Sequence, residues 1–206
     1  VKNIILFASG EGTNFSAMIR GGVRIHSVIT DNRNAGVIHR AKEKGVPCFC
    51  IPKFRRESRE EHEARIIEAL PNKIDLIVLA GYMRLLSPFF LEDYPKVINI
   101  HPSLLPSFKG KNSIEVAYRF GCKFIGATVH WVNEEMDSGE IIEQDGFRID
   151  DDATLTEVVK KMHLLENEMY PRVVHDLIMQ EQNDYCKLEM MVTDSSGFNV
   201  WKRAHV

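Results

Sequence analysis

Cysteine is scarce in this chain, and its placement excludes more than it offers. Cys48, Cys50, Cys122 and Cys186 form no CxxC spacing and stand near no paired-histidine pattern, so the common zinc ligations are ruled out and no metal is expected. Cys48 and Cys50 lie two apart in an apolar run and share one face of an expected strand. They read as small buried thiols in a reducing compartment. No apolar stretch reaches the ~18 residues of a membrane span, so no membrane partner is expected. A charged, apolar and cleavable leader pattern is also missing; the chain sets out in an expected strand, and the expected location is cytoplasmic. Nor is there an excess of basic charge. With 26 Lys and Arg against 29 Asp and Glu, the net charge is −3, which argues against a nucleic-acid binder working through a broad basic field. A few aimed groups still suffice for a small phosphate-bearing ligand. Finally, no serine or cysteine occupies a nucleophile elbow, so direct attack of one substrate on another fits better than a covalent intermediate.

What the chain does have is ordinary globular composition, 44% hydrophobic and 27% charged over 206 residues, enough for one good core. Without repeats, low-complexity segments or a clear linker, residues 1–206 read as one domain. Short apolar runs alternate with helical patterns. KNIILFA (2–8), RIHSVIT (24–30), VPCFCI (46–51), IDLIVLAG (74–81) and KVINI (96–100) read as strands. Helical stretches at 15–21, 37–45 and 57–70 separate the first four. Continuous apolar strands joined by helices imply right-handed βαβ units and a parallel sheet covered on both faces. Residues 1–100 therefore form a parallel, phosphate-binding half.

The second half, 101–180, changes character. After a helix at 113–121, KFIGATVHWV (123–132) and EIIEQDGFRI (140–149) read as strands joined by NEEMDSG, a loop short enough for an antiparallel pair. The fold class is thus α/β, a Rossmann-like and mostly parallel twisted sheet extended by antiparallel strands. Thr154 and Glu157 have capping-box spacing ahead of a long helix, whose apolar stripe is Leu155, Val158, Met162, Leu165 and Met169. Pro171 is expected to kink or end it near Tyr170. Residues 181–206, polar and weakly patterned, read as a tail.

Candidate chemistry gathers at the expected C-terminal sheet edge, where open α/β sheets bind ligands. SGEGTN (9–14) links the first strand to the first helix. It lacks the third glycine of a dinucleotide fingerprint and the lysine of a P-loop. Gly12, Thr13 and Asn14 therefore suit a single terminal phosphate. Asn99 and His101, i and i+2 on a strand, address one space. An asparagine amide can hold an oxyanion, and a histidine can donate to it or pass a proton near neutral pH. The missing carboxylate would come from Glu134, Glu135 or Asp137, and Asp137 stands out because Ser138-Gly139 follow it. Tyr82, Met83, Leu85 and Leu86 either wall a flat apolar ligand or pack the core. His163 and Glu166, three apart, either form a solvated pair or line a cleft, and the spacing favours the pair.

Taken together, GxGTN (10–14), AGYMRLLS (80–87), NIHPSLLPSFKG (99–110), GATVHWVNEEMDSGEII (126–142) and ENEMYP (166–171) resemble the phosphoribosylglycinamide formyltransferase family. The resemblance spans residues 2 to about 180. It implies transfer of a formyl group from the cosubstrate 10-formyltetrahydrofolate to glycinamide ribonucleotide, two small-molecule partners, in a monomer or homodimer. It implies catalytic roles for Asn99, His101 and Asp137, and phosphate contact for Gly12, Thr13 and Asn14. Glu166 matches a residue on the nucleotide's sugar. Folate contact falls to Met83, Arg84, Leu85, Leu86, Asn99 and the hairpin 133–137. Arg59 matches a folate-side arginine with the alignment offset by one residue. The chain departs from the family at His163, where relatives often carry lysine or glutamine, at Ile114, which replaces a frequent histidine, and in DDDAT (150–154), which lacks a common glycine.

Three rivals share parts of this pattern. A 10-formyltetrahydrofolate deformylase uses water as acceptor, but usually carries HHS where this chain has HPS, and an N-terminal regulatory domain. A methionyl-tRNA formyltransferase shares SLLP but needs a further domain and a basic surface. A non-catalytic nucleotide-binding module would have no reason to keep Asn99, His101 and Asp137 together.

Overall fold

The computed structural model describes residues 2–192, with side chains described over residues 2–180. Its centre is a seven-stranded sheet in the order β3-β2-β1-β4-β5-β6-β7. The strands are β1 (Ile4–Phe7), β2 (Ile25–Thr30), β3 (Cys48–Cys50), β4 (Leu76–Leu79), β5 (Val97–His101), β6 (Phe124–Trp131) and β7 (Ile141–Arg148). From β3 to β5 all pairings are parallel, whereas β5–β6 and β6–β7 are antiparallel. The expected mixed architecture is therefore present, and β5 is the seam between its two halves.

Alternation along the strands divides the core. Ile4 and Leu6 of β1, with Val78 of β4 and Ile98 of β5, pack on one face beneath α1 (Thr13–Arg20), α2 (Gly36–Glu43), α5 (Ser113–Phe120) and α6 (Leu155–Val192). Ile5, Phe7, Ile77, Leu79 and Val97 face the other way. There they meet Ile66 of α3 (Arg59–Ala69) and Phe90 of α4 (Pro88–Asp93). Strands covered on both faces need apolar side chains at every position, which is why these runs lack polar alternation.

Three elements differ from expectation. The first is α4, which the apolar pattern does not reveal. Ser87 caps it, its Oγ accepting the Phe90 N–H at 3.1 Å, and Pro88 opens its first turn. The second is α6, capped as expected by Thr154 and Glu157, which does not end at Tyr170 but runs through Pro171 to Val192. An interior proline costs about 3 kcal/mol, but here Tyr170, Val173 and Val174 are buried around it. Tertiary packing of that face outweighs the lost hydrogen bond. The Pro171 ring also lies against Gly21, where an added Cβ would sit 2.8 Å from it. Residues 181–192, read as part of a tail, thus continue the helix, and 193–206 lie outside the described residues. The third is β3. Cys50 is exposed and Cys48 half-buried because β3 is a three-residue edge strand with no neighbour beyond it. Burial raises the Cys48 thiol pKa. Cys186 has no described side chain.

Among the described residues no helix is long and apolar enough to cross a membrane, and no cluster of three or more His, Cys, Asp or Glu is placed to hold a metal ion.

Candidate active site

Strand order dictates where the site forms. β1 is flanked by β2 on one side and β4 on the other, so the chains leaving β1 and β4 diverge and open a crevice at the C-terminal edge. A cleft of about 720 Å³ fills it, bounded by the 10–14 loop, the 79–86 segment, the end of β5, the 133–137 hairpin and the inner face of α6.

At one end lies the N-terminus of α1. Gly12 is its cap with φ +76°, a conformation that costs other residues strain, and an added Cβ would stand 2.8 Å from Val37. No acidic residue occupies the first turn, so the free N–H groups and the positive helix end are left for an anion. Arg40 steadies the loop, its Nε donating to the Glu11 carbonyl at 2.6 Å. Asn14 has a buried amide oxygen with no partner among the described residues. Across the cleft, α6 presents Glu166 and His163. Glu166 is buried, and burial lifts its pKa to about 7. His163 is exposed. Both line the cleft, so the spacing-based preference for a solvated pair gives way to the cleft reading.

The polar centre stands on β5 and β6. Asn99 and His130 are direct cross-strand partners, and the Asn99 amide nitrogen lies 3.3 Å from His130 Nε2. His130 Nδ1 lies 2.8 Å from the Trp131 carbonyl, which can only accept. Nδ1 therefore carries the proton in the neutral ring, and Nε2 presents its lone pair to the Asn99 N–H. Burial lowers the His130 pKa and favours that neutral form. His101 closes β5. Its Nε2 lies 2.9 Å from the Phe108 carbonyl and its Nδ1 3.4 Å from Asp137 Oδ2. Both partners are acceptors, so an imidazolium satisfies both at once. Asp137 Oδ2 also accepts the Gly110 N–H at 2.8 Å, and its Oδ1 lies 3.8 Å from His130 Nε2. Asp137 sits in the left-handed region at φ +50°, which aspartate tolerates better than most residues. Of the three hairpin acids, Asp137 is the one that reaches His101; Glu134 and Glu135 are exposed, Glu135 at the rim of the cleft. The loop after β5 is anchored by Thr128, which accepts the Leu105 N–H at 3.0 Å and donates to the Ser103 carbonyl at 2.7 Å.

The remaining wall is apolar. Met83 and Leu85 are exposed towards the cleft, at 65% and 40%, whereas Leu86 touches the cleft but is mostly buried in the core beside Phe90. The two readings of this segment thus divide between its residues. The Arg84 guanidinium is held by Asp31, its Nε 2.6 Å from Oδ2. Arg59 does not line the main cleft. It lines an adjoining pocket of about 210 Å³ with Lys53, sharing the Tyr82–Leu86 wall. Ile114 does line the cleft.

Sequence reasoning missed His130, which it read only as a strand residue. Its signal was available: on an antiparallel neighbour of β5, an inward histidine opposite Asn99 must meet that amide.

Residues 2–174 match the family model described as formyl transferase. The chain belongs to the formyl transferase family. The phosphoribosylglycinamide formyltransferase of Bacillus subtilis is 39% identical over 186 residues, covering 86% of this chain and 95% of that protein. Its namesake from Haemophilus influenzae is 35% identical, covering 84% and 86%. The crystal structure of phosphoribosylglycinamide formyltransferase from Bacillus halodurans superposes with a TM-score of 0.82 at 38% identity, covering 86% of this chain and 95% of the other. The mixed sheet is the fold of that family.

Proposed function

We propose that this protein transfers the formyl group of 10-formyltetrahydrofolate to the amine of glycinamide ribonucleotide, as the names of its formyl transferase relatives suggest for purine biosynthesis. The observation that carries this reading is the convergence of Asn99, His101 and Asp137 between an anion-binding loop and an exposed apolar wall.

In this reading the nucleotide phosphate rests on Gly12, Thr13 and Asn14, and its sugar faces Glu166. The folate lies along Met83 to Leu86 and the 133–137 hairpin, with Arg59 on its side in the adjoining pocket. The amine lone pair attacks the formyl carbon. As the new C–N bond forms, the C=O pair moves onto oxygen, and the oxyanion is held by the Asn99 amide beside the positive charge of the His101 imidazolium, whose two N–H groups stay with the Phe108 carbonyl and Asp137. Asp137 orients and charge-balances that imidazolium. It also orders a water through which the amine's proton reaches the folate nitrogen. The oxyanion pair then re-forms the C=O as the bond from that nitrogen to the formyl carbon breaks, leaving tetrahydrofolate and the nucleotide's amine as a formamide. Holding two substrates in line supplies much of the acceleration without a covalent intermediate.

The test is isotopic. With 10-formyltetrahydrofolate labelled in the formyl carbon, label should enter the nucleotide and depend on it. Label released as formate at the same rate without nucleotide would instead identify a hydrolase.

A further inference from the structure

Three strand ends meet behind the apolar wall, and one carboxylate ties them together. Asp31 directly follows β2, Ser9 follows β1, and Met83 and Arg84 follow β4. Asp31 Oδ1 accepts the Ser9 hydroxyl at 2.5 Å, and Oδ2 accepts Arg84 Nε at 2.6 Å. Because the Ser9 hydroxyl gives its proton to Asp31, its lone pairs are free, and one accepts the Met83 N–H at 3.0 Å. The Ser9 backbone closes the clasp. Its N–H donates to the Gly81 carbonyl at 3.1 Å, and its carbonyl accepts Asn32 Nδ2 at 2.9 Å. Asp31 and Ser9 are both nearly buried, at 8% for the Asp31 side chain and 9% for Ser9. Charge-assisted bonds of this kind are strong and directional.

We propose that Asp31, acting through Ser9 and Arg84, is a positioning residue that sets the ligand-facing wall at 82–86. The inference rests on the reading of that wall as the folate side. Two consequences follow. The Met83 N–H, spent on Ser9, is not offered to a ligand, so the hydrogen-bonding edge of the wall is the backbone after it. Arg84, paired with Asp31, is tethered in place while it lines the cleft.

Asp31→Asn keeps the shape but removes the charge that draws in Arg84. Ser9→Ala is the milder second variant and orphans the Met83 N–H. In ligand-free protein, amide hydrogen exchange should speed up by about tenfold or more over residues 81–86 while β1 and β4 keep their protection. In steady-state kinetics, KM for the folate should rise by about tenfold, with kcat and the nucleotide KM changed by less than about threefold. If Asp31→Asn does not fold, Ser9→Ala decides. Unchanged exchange over 81–86, or both KM values rising together, would overturn the proposal. The exchange measurement needs no substrate. A wild-type protein that transfers no formyl group would therefore remove the functional reading while leaving the clasp itself tested.

Discussion

The carboxylate of Asp137 meets the imidazole of His101 at 3.4 Å, with both side chains more than nine-tenths buried. One partner comes from the end of β5 and the other from the β6–β7 hairpin. The contact fixes the plane of the ring and leaves it facing the cleft. Asp137→Asn retains the shape and loses the charge, and Asn99→Ala removes an oxyanion donor. Each should lower turnover by about 10²–10³-fold, with an unchanged circular dichroism spectrum. Near-wild-type turnover in either variant would remove its assigned role.

Glu166 makes stability depend on pH in an unusual direction. Its pKa in the folded protein is raised by burial to about 7, from an ordinary value of 4.5. Between those values the folded chain holds a proton that the unfolded chain releases, so this group's contribution falls as pH rises. It is fully present below the unfolded value and lost as pH passes through the folded one. Glu166→Gln, which stays neutral, should therefore gain melting temperature relative to wild type between about pH 5 and pH 8. A constant difference across that window would show that Glu166 ionises normally.

Gly139 closes the hairpin that carries Asp137. An added Cβ there would overlap the Trp131 carbonyl oxygen, beside the Trp131 N–H bond to the Glu140 carbonyl at 2.9 Å. Gly139→Ala must push the hairpin away from β6 and Asp137 with it. Displacements of about 1 Å can cost on the order of 10²-fold in rate. Initial-rate assays should show that loss with only a modest fall in melting temperature.

Tyr170 is fully buried, and its hydroxyl faces the Leu79 carbonyl at 2.8 Å and the Ile98 carbonyl at 3.2 Å. It fastens α6 to the end of β4 and to β5. Tyr170→Phe should cost about 1–2 kcal/mol in urea denaturation, because both carbonyls lie out of reach of water. A cost near zero would mean that those carbonyls are satisfied without it.

Much of this was legible before any coordinates. Runs such as Ile4–Phe7 and Leu76–Leu79 are apolar at every position, which only a doubly covered strand requires. The Asn99 and His101 pair follows from the two-residue period of β5. What escaped depends on contacts distant in sequence. Pro171 looks like a terminator until the packing of Tyr170 and Val174 is known. Glu63 reads as part of a charged helix face, yet it is buried and accepts both the N–H and the hydroxyl of Ser87. Arg59 falls in the adjoining pocket because its distance from the cleft is set by how α3 docks. Asp31 and Arg84 meet only because the sheet order places β1 between their strands.

The seam at β5 carries a consequence for how activity could arise at all. A fragment stopping at His101 would own the amide and the imidazole but no counter-charge, and the complementary fragment would own Asp137 with nothing to orient. Neither piece could turn over alone, and mixing them should restore catalysis only when β6 zips onto β5. Enzyme activity would then serve as a direct reporter of that one antiparallel pairing.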